Sequence, residues 1–592
     1  MAVNKSSLSS VYFEVELKDA FYGKCLYTMT LSRRHILYAL AGIIAATVLL
    51  WIGVAGINLN CDDYQYIESM APIRSVADLF RPFVMTDFNP IWYRPFANLT
   101  MAVDFLFFHW AGGSYHLTNL FFHLLATVTV FYFVRSIFGL RTGLALLVSL
   151  AFGLNASHEY NLTTDTARAD ILVAFFIMWT LLAEQKAQRE NSLWWKLGGM
   201  IAFSFALFSK ESAFFVLPLI PWFSLPKSAI RPDWTKLLGS LTPYAIIAIA
   251  FLILHSHYGA SSAQNPWASL LTMKGIQQDL YQNGMGAGYI LFPVDFSAAL
   301  VIFRDYSRII LPTAALLIAS VSWLMWSNRS SKEAQDMLKP LALFFITTLP
   351  IVVFARWRFY LPSVALLVMV ALCAALLWER GGIVVRSTLS VALIGLTIFH
   401  VRQAIADQND WRLATQWIET LHLQLVPILR QEREQPHSMS FLTLPAKCGD
   451  GVVLPIGEDA LVKRSEADLL GQSVEGTGNV SRAKISAWTA IHVFSLDASE
   501  GYPNLHVDQL GKLHYLVHVP VGGSVVLAPA ELSSRGVSIL QTKFHTGDTI
   551  QSAKCLCTIV NENDGKAYAI DVKVADSTAL PVYFDGTTLR KF

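Results

Sequence analysis

Along the chain, apolar runs long enough to cross a bilayer alternate with short polar connections, beginning with ILYALAGIIAATVLLWIGVAGI at 36–57. With a window of about 20 residues, the length of helix that spans a membrane, the runs fall near 36–57, 116–134, 142–156, 170–183, 197–209, 212–225, 237–256, 308–326, 340–354, 361–378 and 383–401. They predict about eleven transmembrane helices, and the pair on either side of Lys210 can instead form one broken element. The first run exceeds a signal-peptide core of roughly 7 to 15 residues and no A-x-A site follows it, so residues 1–35 are expected as a cytoplasmic segment before a retained helix. Residues 257–307 are too interrupted by Gly and Pro for one span and read as a loop with helices lying in the interface. Past about 403 the period changes. An amphipathic helical stretch near 404–434 leads into alternating segments such as SMSFLTLPA, KLHYLVHVP, GSVVLAPA, CLCTIVNEN and AYAIDVKVAD, which predict strands. The expected architecture is a polytopic α-helical membrane domain over 36–402, with a first outer loop at 58–115, followed by a soluble, β-rich α+β domain over 403–592. No 34-residue repeat or low-complexity tract interrupts it.

Composition agrees. Of 592 residues 54% are hydrophobic and only 15% charged, against roughly 25% charged in soluble domains, which excludes a soluble enzyme. The net charge of +2 says little about partners, because the charges are segregated by position. Arg33 and Arg34, Arg135 and Arg141, Lys186, Arg189 and Lys196, Lys227, Arg231 and Lys236, Arg329, Lys332 and Lys339, and Arg380 and Arg386 all fall on one side of the predicted bundle. By the positive-inside rule that side is cytoplasmic, so the 58–115 loop and the C-terminal domain are expected outside, for a bacterial host on the periplasmic side of the inner membrane. Cys25, Cys61, Cys373, Cys448, Cys555 and Cys557 form no CxxC motif, and a bridge from Cys555 or Cys557 to Cys448 is left open.

The opposite side carries the acids and histidines: Asp62, Asp63, Asp78 and Asp87, then SHEYNLTTDTARAD at 157–170, Lys210 with Glu211, and ARWRFYLPS at 355–363. An ionisable group at membrane depth costs about 2.5 to 3.5 kcal/mol on insertion scales, so those near span ends are candidates for function. The plainer reading of any one of them is a snorkelling or topology residue. Likewise, CDDY at 61–64 can be no more than a helix start, since Asp is favoured at an N-cap and in a first turn.

Residue order goes further. The stretch FNPIWYRPFANLTMAVDFLFFHWAGGSYHLTNLFFHLLATVTVFYFVRSIFG resembles a block of the GT-C glycosyltransferases, with an acidic first outer loop, a YRP segment and an HLxN…H stretch opening the second span. SHEYNLTTDTARADIL, FSKESAFFVLPL, ILFPVDFS and RWRFYLPSV resemble further blocks in the same order. The resemblance covers about residues 36–412, to NDWRLA, and is nearest to the membrane portions of tetratricopeptide-bearing O-mannosyltransferases. It extends more distantly to protein O-mannosyltransferases and the lipid A aminoarabinose transferase. The tail departs from the first of these, since it holds no tetratricopeptide repeat.

The resemblance implies transfer of a sugar from a polyprenyl phosphate to an acceptor hydroxyl, with inversion. An alcohol then needs a carboxylate within about 2.6 to 3.2 Å to take its proton, a role suited to Asp63 or its neighbour Asp62, with Asp63 preferred. The phosphate needs cations or donors: Arg356 and Arg358 first, then Lys210 and Arg168, with His116 and His123 as weaker donors. His123 follows His116 by seven residues, and a histidine satisfied inside the bundle is its plainer reading. Arg94, His158, Glu159, Asp165 and Asp170 are expected to orient the acceptor or brace the loops, with Pro95 starting the helix after Arg94. The 157–170 acids with Asp62 and Asp63 can ligate a divalent ion, but no HxxxH or HExxH spacing demands one, so no obligatory metal or cofactor is expected. The expected partners are a polyprenyl-linked sugar donor, a glycan, lipid or protein acceptor and membrane lipids, without nucleic acid. The rival readings are a lipid or sugar flippase, which would be expected to show inverted repeats, and a non-catalytic assembly protein.

Overall fold

The computed structural model describes residues 32–70, 72–84, 92–224, 234–258, 272–294, 327, 337–351, 356–431, 438–448, 451–452, 489–497, 505–519, 524–526, 546–547, 549–551, 555–563, 566–574, 579–584 and 588–591. Among them the α-helices of ten or more residues are α1 (Arg33–Trp51), α2 (Cys61–Met70), α3 (Pro95–Phe108), α4 (Gly112–Ile137), α5 (Thr142–Gly153), α6 (Arg168–Glu190), α7 (Leu193–Ser209), α8 (Trp234–Tyr258), α9 (Met273–Leu291), α10 (Leu338–Thr348), α11 (Tyr360–Arg380) and α12 (Ile383–Gln431). Six helical stretches in this set are long and apolar enough to cross a membrane: Arg33–Gly56, Gly112–Ile137, Asp165–Glu190, Leu238–Tyr258, Arg356–Arg380 and Ile383–Leu429. The chain is an integral membrane protein, and the shorter apolar helices α3, α5, α7 and α10 pack among these six.

Two expectations about the elements change. The run at 212–225 is a 3-10 turn, Glu211–Val216, and a six-residue helix, Leu219–Ser224, because the chain leaves α7 at Lys210 in an extended conformation. It forms no helix of spanning length. The boundary expected at 403 falls inside α12, a single helix of 49 residues that contains Pro427. The run at 308–326 lies outside the described residues, as do 259–271 and 295–307 of the interfacial stretch, where α9 occupies the part between. Within the first loop, Pro95 does open α3, and Asp78 completes a capping box with Ser75 at the 3-10 helix Val76–Phe83. That use of Asp78 is structural. Asp87 and the disulfide candidates Cys448 and Cys555 have no described side chains.

After α12 come two sheets. The first orders β11 (Leu589–Lys591), β10 (Ala579–Phe584), β1 (Ser438–Cys448), β3 (Thr489–Asp497) and β6 (Ser524–Val526), with β2 (Gly451–Val452) paired to β1. Here β1 runs parallel to both β10 and β3. The second is antiparallel throughout, in the order β4 (His506–Gly511), β5 (His514–His518), β9 (Lys566–Val574), β8 (Cys555–Asn563) and β7 (Thr549–Gln551). All five segments of alternating polarity quoted above contain strands.

Two contacts place the first loop. Gly112 and Gly113 bring the start of α4 against the backbone of Asn58 and Ala55, where a Cβ would collide with Leu59 N and Ala55 O. Helix α12 braces the same segment from the other side, with Thr415 Oγ1 accepting from Asn58 N at 3.3 Å and Glu419 accepting from Asn58 Nδ2 at 3.1 Å. An apolar cluster then joins the loop to the sheets: Leu59, Tyr64, Ile67 and Met70 pack with Tyr115, with Leu421 and Leu425 of α12, and with Val582, Phe584 and Leu589 of β10 and β11. Trp417 meets Phe584 edge-to-face at 5.8 Å between ring centroids, and Leu589 N donates to the Gln424 side chain.

Phe584→Ala removes the largest sheet side chain from this cluster and should cost about 3 to 5 kcal/mol of docking energy. Limited proteolysis in detergent should then release a fragment beginning beyond residue 431 while the bundle stays intact; unchanged protection would contradict the packing.

Candidate active site

The segment 152–165 is a broken run of short turns, the 3-10 turn Ala156–His158, the five-residue helix Glu159–Thr163 and the start of a 3-10 turn at Asp165, and it is buried throughout, although most of it was expected in an outer loop. Inside an apolar bundle its carbonyls need donors. Asparagines supply them: Asn60 Nδ2 donates to Thr163 O at 2.8 Å, Asn119 Nδ2 to Asn161 O and Thr164 O at 3.2 and 3.1 Å, and Asn161 Nδ2 to Ala167 O and Trp357 O at 3.3 and 3.2 Å. Arg168, fully buried, completes the frame. Its Nε donates to Asn119 Oδ1 at 2.6 Å, one amino group pairs with Asp104 at 2.6 Å and donates to Tyr115 O at 3.1 Å, and the other reaches Thr100 at 3.4 Å. Arg168 is thus a brace, engaged by protein on all sides.

Folding this segment inward builds an acidic pocket. Asp63, on the first turn of α2 and fully buried, accepts from Asp165 N at 2.8 Å and Thr166 N at 3.4 Å through Oδ1, and from Asn60 N at 3.4 Å through Oδ2. The Asp165 carboxylate lies beside it, and His116 Nδ1 is 3.2 Å from Asp165 Oδ1. One ligand atom from each of Asp63, His116 and Asp165 falls within 4.8 Å of the others, so these three, among the described residues, are the group able to hold a metal ion. The wider ligand set expected from sequence divides: His158, Glu159 and Asp170 lie in other clusters, and the side chain of Asp62 is outside the described residues.

A cationic pocket lies farther along the same chain segment. Lys210, at the break after α7, donates to both oxygens of Asp170 at 2.7 and 2.6 Å. Arg94 grips Glu211 in a two-point fork at 3.0 and 2.9 Å. Arg358 faces Asp170, Arg94 and Glu211, and its buried Nε has no hydrogen-bond partner. Three cations therefore share two carboxylates, which leaves one positive charge. A small cavity here is lined by Asp170, Ser212, Thr347, Arg358 and Pro362. Burial works to lower the Lys210 pKa and Asp170 opposes it.

The remaining candidates are occupied elsewhere. Arg356 pairs with the buried Glu159 at 3.0 Å, and Glu159 also accepts from Trp411 Nε1 at 3.1 Å and Tyr289 Oη at 3.3 Å. His158 bonds Ser363 at 3.0 Å, His123 bonds Tyr360 at 2.6 Å, and His400 accepts from Ala156 N at 3.2 Å. Burial, with His123 and His400 adding, pushes His158 well below the ordinary imidazole value, so it is neutral. His123 is held inside the bundle. Sequence reasoning had no role for Asn60, Asn119, Asn161, Asp104, Tyr289 or Trp411; Asn119 in HLTN and Trp411 in NDWRLA stood within quoted motifs, but the backbone carbonyls and the carboxylate that they serve are defined only by the fold.

No protein-family model and no curated protein matches the chain. Among solved structures it is similar to ArnT from Cupriavidus metallidurans in the apo state, at 13% identity over 68% of this chain and 82% of that one, TM-score 0.40. It is also similar to the same protein bound to undecaprenyl phosphate, at 14% identity over 72% and 84%, TM-score 0.37. At these scores no chemistry transfers from those proteins to this chain.

The Arg94–Glu211 pair gives a pH signature. Burial alone would raise the Glu211 carboxyl; the Arg94 charge and hydrogen bonds, with Lys210, outweigh it and hold the group at about 2, below its ordinary 4.5. A depressed carboxyl contributes stability that is complete above the unfolded value and lost as pH falls toward the folded one. The melting-temperature gap between wild type and Glu211→Gln should therefore stay constant from about pH 7 to 5 and close at lower pH. A gap that closes above pH 5 would contradict the pairing.

Proposed function

We propose that the chain is a membrane glycosyltransferase of the GT-C type, moving a hexosyl or pentosyl group from a polyprenyl phosphate to an acceptor hydroxyl with inversion. The observation that carries this reading is that one short segment serves both pockets: Asp165 lies beside Asp63, and Asp170, five residues on, faces Lys210 and Arg358. A transferase of this kind needs a carboxylate for the acceptor and fixed positive charge for the leaving phosphate, held at set positions by one framework. The motif resemblance over 36–412 supports the same assignment.

In this reading the donor phosphate enters the cationic pocket, where Arg358 Nε, Lys210 and Arg94 meet its charge. Asp63 takes the proton of the acceptor hydroxyl as its oxygen attacks the sugar C1 from the face opposite the phosphate. The C1–O bond to phosphate breaks with its electron pair leaving on the phosphate, so the anomeric centre inverts. Because Asp63 is fully buried, the acceptor reaches it only when α2 or residues 165–166 move. Arg356 acts indirectly, holding Glu159. The acceptor is a hydroxyl on a glycan, lipid or protein at the non-cytoplasmic face, for a bacterial host in the periplasm.

Purified protein incubated with radiolabelled polyprenyl-phosphate sugars should release or transfer sugar. Asp63→Asn should lower turnover by roughly 10²- to 10⁴-fold with donor binding intact, whereas Arg358→Ala should weaken donor binding and turnover together. Lipid movement without sugar release would favour a flippase. Near-normal transfer by folded Asp63→Asn would move the base to Asp62 or Asp165. For sidedness, an impermeant thiol reagent in intact cells should reach a cysteine at Ser473 and miss one at Arg189; the reverse pattern would overturn the orientation.

A further inference from the structure

We propose that Asp63, His116 and Asp165 form a built site for one divalent cation. The site stands on geometry alone; the ion's use beside a sugar donor rests on the transferase reading. All three side chains are fully buried, with ligand atoms within 4.8 Å of one another. Bonds of about 2.1 to 2.2 Å in an octahedral ion place its ligands about 3 to 4.3 Å apart, so small adjustments seat a metal.

The histidine tautomer is the first argument. His116 Nε2 lies 3.2 Å from the carbonyl oxygen of Asn58 and must donate to it, which leaves a lone pair on Nδ1 of the neutral ring. That lone pair faces Asp165 Oδ1 at 3.2 Å with no aligned hydrogen bond, and neither Asp165 oxygen has an aligned donor. Two lone pairs held this close repel unless a positive charge stands between them. Fixing one ring nitrogen on a carbonyl while presenting the other is also how proteins orient a histidine ligand.

Charge is the second argument. Arg168, the cation nearest in sequence, is committed to Asp104, Asn119 and Tyr115 O. Asp63 accepts from the backbone N–H groups of Asn60, Asp165 and Thr166. The Asp165 carboxylate, buried with no aligned donor on either oxygen, therefore faces the imidazole, an arrangement that burial penalises heavily without a counter-ion. The unsatisfied atoms also concentrate here. Asn60 Oδ1, His116 Nδ1, Thr164 Oγ1 and both Asp165 oxygens are buried with no hydrogen-bond partner among the described residues. Carboxylate oxygens with one imidazole nitrogen suit Mn2+ or Zn2+ better than Ca2+, and three protein ligands leave coordination positions open for water or a phosphate oxygen. The rival arrangement is a doubly protonated His116 bridging to Asp165 with no metal.

The test needs no turnover. Chelator-stripped full-length protein in detergent is titrated with Mn2+ and followed by electron paramagnetic resonance and by melting temperature, with Zn2+ and Mg2+ as competitors. One saturable Mn2+ per chain, a rising melting temperature and a nitrogen coupling in the Mn2+ spectrum support the site. His116→Gln should abolish the nitrogen coupling, and His116→Gln and Asp165→Asn should each weaken binding by at least about 10- to 100-fold, while Asp78→Asn should change nothing. Should Asp165→Asn fail to fold, the wild-type coupling and its loss in His116→Gln still decide. No saturable binding up to roughly 10 mM Mn2+, far weaker than sites built to hold an ion, would overturn the proposal, as would binding without nitrogen coupling. Binding without sugar transfer would leave the site standing and sink the transferase reading.

Discussion

Everything at this end of the bundle depends on one constraint: where short helical turns break while buried among membrane helices, each carbonyl left free must find a donor. The carbonyls of Asn161, Thr163 and Thr164 meet it with Asn60 and Asn119, Asn161 serves Ala167 and Trp357 in turn, and Arg168, paired with Asp104 at 2.6 Å, holds Asn119. The asparagines and Arg168 are neither catalytic nor interchangeable. Each hydrogen bond contributes little net energy, whereas a buried carbonyl left unpaired costs about 1 to 3 kcal/mol. The framework is therefore kept whole or lost together, and it sets the positions of Asp165 and Asp170 as a pair.

Helix α12 extends this frame to the sheets. Its apolar part lies largely exposed on the outside of the bundle, Trp411 holds Glu159, and its far end packs Trp417 on Phe584 and Gln424 on the Leu589 backbone. Glu159 in turn fixes Arg356, two residues from Arg358. The sheet domain thus bears on both pockets, on Asp63 through the apolar face of α2 and on the arginines through Trp411. Its β10 and β11 side chains form, with α2, Tyr115 and α12, a cluster separate from the main core of the bundle.

Much of this was legible in the sequence. Hydropathy marked the long helices because a membrane span must be apolar over about 20 residues, and period-2 segments marked the strands. The break at Lys210 was visible as a charge doublet in an apolar run. The length of α12 was not, because the loss of hydropathy near 403 marks where the helix leaves apolar surroundings, and a helix continues through that point without any local signal. The 157–170 segment was read as an outer loop for a related reason, its polarity, which the fold spends largely on buried backbone. Charge and position singled out Asp63, Lys210, Arg94, Arg358, Asp165 and Asp170 as candidates, and the fold gathers them into two pockets. Partner choice could not be read, since Arg356 and Arg358 are alike in sequence, yet one closes on Glu159 and the other keeps a bare Nε.

The central claim is that the cationic pocket takes the lipid phosphate. A cryo-electron microscopy structure of the full chain with a polyprenyl phosphate tests it most directly. The account predicts phosphate oxygens within hydrogen-bond distance of Arg358 and of Lys210 or Arg94, with Arg356 still on Glu159. Phosphate bound at Arg356 with Glu159 displaced, or bound away from all four cations, would contradict it.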